Sequence, residues 1–164
     1  LLAAQPDTAA LATTIPAGLL LPCWAVLLEL STPVAHPAEA IFIRQGALSW
    51  AVRHQHKPGR SAVAPEQWLV HFTAQSSLDL LEEDASEVAA IALLELSLVF
   101  GQQLHAAESL CHRWLYASYN EQLAAPGLLQ QGSLLLAGDW CYGGRVENAW
   151  LAGRDAALQL LRTV

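Results

Sequence analysis

Gly132-Ser-Leu-Leu-Leu-Ala-Gly-Asp-Trp-Cys-Tyr-Gly-Gly-Arg-Val-Glu-Asn-Ala-Trp-Leu-Ala-Gly-Arg-Asp-Ala-Ala-Leu-Gln-Leu-Leu161 is the stretch from which the rest of the chain is read. Residues 134–137 form a continuous apolar run between glycines, the pattern of a short buried strand. Val146, Trp150, Gly153, Ala157 and Leu160 recur at spacings of three and four, which predicts a helix with those residues on its packed face. Gly143 and Gly144 stand just before it, where they let the first unpaired amides of the helix approach an anion or a carbonyl oxygen. The stretch therefore reads as strand, glycine turn and helix, a cradle for a cofactor or a phosphate. Asp139 lies between strand and glycines. It either accepts bonds from vicinal hydroxyls, as the acidic residue of a dinucleotide site does, or closes a turn on its own backbone. Arg145 either neutralises an anion or is a solvated arginine at a helix start.

Working outward, residues 7–14 predict a short helix capped by Asp7, followed by a turn at Pro16-Ala-Gly18. Residues 23–30 read as a buried strand whose poor alternation implies cover on both faces. Residues 39–44 and 49–55 form a strand pair about Gln45-Gly46, closed by a turn at Pro58-Gly59. Residues 67–74 alternate with period two. Asp84-Ala-Ser-Glu87 is a capping box opening a well-buried helix to about Leu104. Residues 110–118 are a further strand with Cys111, Arg113 and Leu115 on one face and His112, Trp114 and Tyr116 on the other. Residues 122–131 are a link. The domain boundary implied is 1–120 against 121–164.

The chain has 164 residues, 54% of them hydrophobic and 14% charged, with a net charge of -7 and no Met. No cluster of Lys and Arg exists to hold a nucleic acid backbone. Residues 15–30 are apolar but shorter than a membrane span, broken by Pro16, Gly18 and Pro22, and lack a basic leader, so neither a membrane helix nor a signal peptide is expected. Cys23, Cys111 and Cys141 are widely spaced and read as free thiols in a reducing compartment, hence a cytoplasmic location. The chain reads as a portion of a longer protein, part of its apolar surplus belonging to an interface.

The six histidines form no compact metal-ligand set, although His54 and His56 share a strand face, and no metal site is expected. No serine sits in a nucleophile elbow. Trp50, Trp68, His71, Trp114 and Tyr116 either line an apolar cavity with polar edges or pack as ordinary core and interface aromatics. Trp24 reads as core. Lys57-Pro-Gly-Arg60 is either a solvent-facing hairpin tip or a contact to the anion of a substrate or cofactor.

Pro22-Cys-Trp-Ala-Val-Leu27, Leu48-Ser-Trp50, Lys57-Pro-Gly-Arg60, Trp68-Leu-Val-His71, His112-Arg-Trp114 and the 132–161 stretch follow one another in an order that resembles the carboxy-terminal half of flavin-containing amine oxidases, especially their bacterial renalase-like branch. The resemblance spans roughly residues 5–162. It implies an α+β chain: a mainly antiparallel substrate-domain sheet with a long helix, then the returning strand and helix of a Rossmann-like FAD-binding domain. Gly138, Asp139, Gly144, Arg145, Val146 and Glu147 are then the FAD-contacting positions, Asp139 toward the ribityl or pyrophosphate portion and Gly144, Arg145, Val146 and Glu147 at the helix start facing the flavin pyrimidine edge. Trp50, His71 and Trp114 are the substrate-cavity candidates, and no residue is assigned a catalytic role. The activity implied is oxidation of an amine or dihydropyridine-like small molecule by hydride transfer to flavin. The chain lacks G-x-G-x-x-G after a first strand, so the resemblance implies that it holds FAD poorly by itself. Its partner is then the amino-terminal FAD-binding half or a self-association surface. The alternative is a non-enzymatic ligand-binding or interaction domain derived from the same fold.

Overall fold

In the computed structural model of the protein, residues 6–60 and 65–162 are described. The fold is mixed α/β, with a mainly antiparallel five-stranded sheet and a carboxy-terminal helix. It divides into two compact units, one of residues 22–116 and one of residues up to 21 together with those from 117 onward.

The first unit carries the sheet, in the order β2-β3-β4-β1-β5. Its strands are β1 (Leu20–Leu30), β2 (Ala40–Phe42), β3 (Leu48–Arg53), β4 (Gln67–Phe72) and β5 (Ala106–Tyr119). In β4 the period-two pattern is obeyed: Trp68, Val70 and Phe72 are buried while Leu69 and His71 are half-buried. β1 departs from expectation. Its residue types hardly alternate, yet Trp24, Val26, Leu28 and Leu30 are buried with Cys23, Leu27 and Glu29 less so. One face is sealed and the other only partly covered, because a strand's pleat separates neighbours that composition treats alike.

The sealed face packs on α3 (Ala85–Phe100) through Val88, Ala89, Ala92 and Leu96. Each fully buried aliphatic or aromatic side chain there contributes about 1.5–3 kcal/mol. Asp84 does precede this helix, but its side chain makes no capping bond, and Gly101 ends the helix in a left-handed turn before Leu104. The helix is also less buried than its composition predicts, since Leu94 and Leu98 are exposed. A stripe four residues apart is fully buried on the sheet, Ile91, Leu93 and Phe100 pack partly against the same core, and Leu94 and Leu98 stay outside it. A short helix absent from the sequence reading, α2 (Ala74–Asp79), is capped by the Thr73 side chain, which accepts the Ser76 amide. Its Ser77 is wholly buried and accepts the Trp24 amide at 3.0 Å, while the Trp24 indole donates to Leu80 O at 2.9 Å.

β2 and β3 form the expected hairpin, but residues 54–56 leave the sheet as a 3-10 turn. His54 and His56 therefore do not share a strand face. A bulge interrupts β3: Leu48 lies opposite Phe72, yet Trp50 lies opposite His71. Leu48 and Ala51 consequently both enter the core, and Trp50 turns to the other face.

In the second unit α1 is described as Pro6–Thr13, so Asp7 lies inside the helix instead of capping it. A turn follows at 16–18, with the Leu19 amide bonded to Pro16 O. β7 (Leu134–Leu136) is half-buried and pairs antiparallel with β6 (Leu129–Gln131), a strand lying in what reads from sequence as a link. A 3-10 turn (Asp139–Cys141), the two glycines and α4 (Val146–Leu161) complete the strand-turn-helix order.

Candidate functional site

The predicted packed face of α4 is the outward one. Val146 is 92% exposed and Trp150 66%, and Gly153, Ala157 and Leu160 are exposed as well. The side that packs is centred on Ala152, with Leu151 and Ala156 half-buried beside the polar Asn148, Asp155 and Gln159. Asn148 Nδ2 donates to Tyr142 O at 2.7 Å, the Tyr142 hydroxyl donates to Asp155 Oδ2 at 3.1 Å, and Gln159 bonds Gln130. Periodicity located the two sides correctly and assigned them in reverse, because hydrogen bonds hold this helix to its own turn and leave the apolar stripe uncovered. Bonds from Arg154 first, and from Tyr142, keep Asp155 below the usual carboxylate range against the opposing effect of its partial burial. Burial and Asp155 push the Tyr142 hydroxyl up.

The six cofactor-binding candidates lie together between β7 and the first turn of α4. Gly138 is extended, and a side chain there would run into the Trp140 indole. The Asp139 carboxylate makes no hydrogen bond to any described residue, so a turn closed by that side chain is not formed. Its carbonyl oxygen instead accepts the amides of Tyr142 at 3.0 Å and Gly144 at 2.9 Å. Gly144 has φ +77°, and an added Cβ would overlap Tyr119 Cβ outright and stand 3.4 Å from its Cα. Here glycine is required by close approach of two backbones, and its amide is already engaged. The amides free to meet a ligand are those of the exposed Arg145, Val146 and Glu147, at the positive end of a sixteen-residue helix. A free carboxylate beside unpaired helix-start amides fits the edge contacts of FAD, with the amides matched to the charge that develops on a reduced flavin. The described residues supply no glycine loop for the adenosine half.

In the sheet unit, Trp50 and His71 are lateral neighbours on the face away from α3, their ring centroids 5.1 Å apart. Phe42 lies opposite Trp50 and is 83% exposed. Burial, and then the charge of Lys57, hold the His71 imidazole below its usual pKa, so it is neutral near pH 7. Trp114 belongs to the same face, since Arg113 beside it reaches over Trp24 on the sealed one. It stacks edge-on with His112 at 4.3 Å and is 55% exposed. β1 intervenes between its strand and β4, so at ordinary strand spacing Trp114 stands at least about 10 Å from His71 and about 14 Å from Trp50 across the sheet. The sheet thus brings Trp50 and His71 together and leaves Trp114 at the edge strand. Trp68 is core, edge-on to Phe100, with its indole donating to Glu66 at 2.6 Å.

A cleft of about 500 Å³ opens elsewhere in this unit, lined by Leu30, Pro33, Arg53, Gln55, His56 and Glu66. Its charges are largely satisfied internally. Arg53 pairs with Glu66 at 3.5 Å and donates to His36 O at 2.8 Å, and Glu66 also accepts the Val34 amide. A second cleft of about 380 Å³, in the other unit, runs along the polar side of α4 past Tyr142, Asp155 and Arg162. Neither includes a predicted site residue, and no motif in the sequence announces either.

All three cysteines are free thiols. Among the described residues no three His, Cys, Asp or Glu side chains are grouped to hold a metal ion, and no helix is long and apolar enough to cross a membrane. A scan of the chain against protein-family models finds no match.

Proposed function

We propose that the chain is the carboxy-terminal portion of an FAD-dependent oxidoreductase of the amine-oxidase type, renalase-like, that oxidises an amine or dihydropyridine-like small molecule. The observation that carries this reading is the inverted packing of α4. The strand-turn-helix is formed, yet the stripe Val146, Trp150, Gly153, Ala157 and Leu160 faces outward, with small residues where a flat layer packs closely. Such a stripe calls for a further layer, and a Rossmann-like FAD-binding half has one to offer. When bound, FAD supplies the hydride acceptor. The chain's own contribution is to place the Arg145–Glu147 amides and the Asp139 carboxylate at the cofactor's edge and to present Trp50 and His71 as a substrate wall. A neutral His71 orients substrate through a hydrogen bond.

The Trp50–His71 pair forms wholly within residues 22–116. That favours a second reading, in which the sheet binds a ligand without redox chemistry. Absorbance titration with FAD separates the two when applied to the product of the full parent reading frame and to residues 1–164. Flavin retained by the parent and lost from the shorter chain is the expected result. Tight binding by residues 1–164 alone defeats the shared-site reading, and a flavin-free parent defeats the oxidase reading.

A further inference from the structure

Lys57-Pro58-Gly59-Arg60 folds as a type II turn. Proline occupies its second position, Gly59 has φ +78°, and the Arg60 amide donates to Lys57 O at 3.2 Å. Such a turn brings the Cα atoms of its first and fourth residues within about 7 Å, so Lys57 and Arg60 leave the backbone as near neighbours. Neither forms an ion pair with a carboxylate among the described residues, and residues 61–64, Ser-Ala-Val-Ala, contain none. The nearby Glu39 is engaged with His56 Nδ1 at 2.9 Å. In a chain of net charge -7 this is an unbalanced positive spot.

The spot adjoins the aromatic pair. Lys57 Nζ stands 6.0 Å from the Trp50 ring centroid, and its charge is felt at His71. His54, which precedes the turn, has its Nδ1 buried and without a hydrogen-bond partner. Phe42, across from Trp50, extends the flat apolar surface. An apolar platform bounded by two uncompensated cations matches a planar ring that bears a negative group. Two cations are too few for a nucleic acid backbone.

We infer that Trp50, His71, Lys57 and Arg60 form a subsite for a planar aromatic small molecule bearing a carboxylate or phosphate, the ring lying on Trp50 and the anion between the two cations. The ring gains stacking and apolar burial, and the anion gains charge-assisted hydrogen bonds. This narrows the substrate class of the function proposed above. It rests on the open sheet face being the substrate wall, and requires no flavin to be tested.

The probe is benzoate, with uncharged benzamide as its counterpart, titrated into the full 164-residue chain. The readout is the indole N–H resonances of the six tryptophans, with the Trp50 signal assigned from Trp50→Phe. Benzoate is expected to shift the Trp50 signal saturably, and to bind about tenfold more tightly than benzamide. The Lys57→Gln/Arg60→Gln chain is expected to lose about the same factor toward benzoate while its other indole signals stay in place. Equal affinity for the two probes, or no saturable shift at Trp50, overturns the inference without any variant having to fold, and so does undiminished benzoate binding by the double variant. Selective benzoate binding by a protein whose full-length parent carries no flavin keeps the subsite and discards the oxidase reading.

Discussion

Replacing Gly144 by alanine tests whether the glycine turn is shaped by close approach or by backbone conformation alone. At φ +77° an L side chain is strained by about 1–2 kcal/mol. The new methyl would also overlap Tyr119 Cβ and lie 3.0 Å from its Cγ. Relief requires moving the end of β5 or the turn, at about 1–3 kcal/mol by the usual cost of overpacking. The sum is about 2–5 kcal/mol. Gly143 is the internal control: it has φ +99°, but the nearest atom to an added methyl is Asn148 Nδ2 at 3.9 Å, so Gly143→Ala should cost only the strain, about 1–2 kcal/mol. Urea unfolding followed by tryptophan fluorescence reads both, and in a thermal melt each kcal/mol moves the midpoint by about 2–4 °C. In a Tyr119→Gly background the overlap vanishes, so Gly144→Ala should then cost no more than Gly143→Ala, a coupling that a double-mutant cycle isolates. Equal costs for the two alanines in the wild-type background would refute the close-approach argument.

Three further outcomes are expected. Trp150→Ser, on the outward stripe of α4, should change stability by less than about 0.5 kcal/mol, whereas Ala152→Leu, on the packed side, should cost about 1–3 kcal/mol; the reverse order in urea unfolding would mean the helix faces were misassigned. Asp155 has a depressed pKa when folded, so its stabilising contribution is present above the ordinary carboxylate range and disappears as pH falls through the folded-state value. Wild type should therefore lose more stability on acidification than Asp155→Asn, and parallel pH profiles of the urea midpoint would count against the Arg154-Asp155-Tyr142 arrangement. Ser77→Ala removes the acceptor of the buried Trp24 amide and should destabilise by about 1–3 kcal/mol, with a neutral result showing that another acceptor takes its place.

Local signals carried the sheet further than the helices. β4 was legible because Trp68, Val70 and Phe72 alternate with half-buried neighbours, and the β2–β3 hairpin because Gly46 marks its turn. The last strand-turn-helix was legible in order but not in orientation. Periodicity separates two sides of α4 without saying which one meets the rest of the unit, and the deciding bonds come from Tyr142 and Gln130, outside the helix. α2 was missed although Thr73 and Ser76 form its cap, because six residues make fewer than two turns, too short for an apolar stripe to repeat. The site was half legible: Trp50 and His71 stood out as residues, but their adjacency depends on strand register, which distant pairing sets.

The bulge in β3 makes that adjacency depend on one local irregularity of the backbone. With ordinary pleating, Leu48 and Trp50 would share a face; the extra residue, Ser49, whose hydroxyl bonds the carbonyls of His71 and Phe72, sends one inward and the other outward. Deleting that single codon would make Leu48 and Trp50 consecutive, and ordinary alternation would still send one inward and the other outward. Keeping the residue while flattening the bulge would instead force a choice between a filled core and an aromatic wall. A related chain one residue shorter here would thus keep the surface on a regular ladder, whereas one of equal length keeps it only through the bulge.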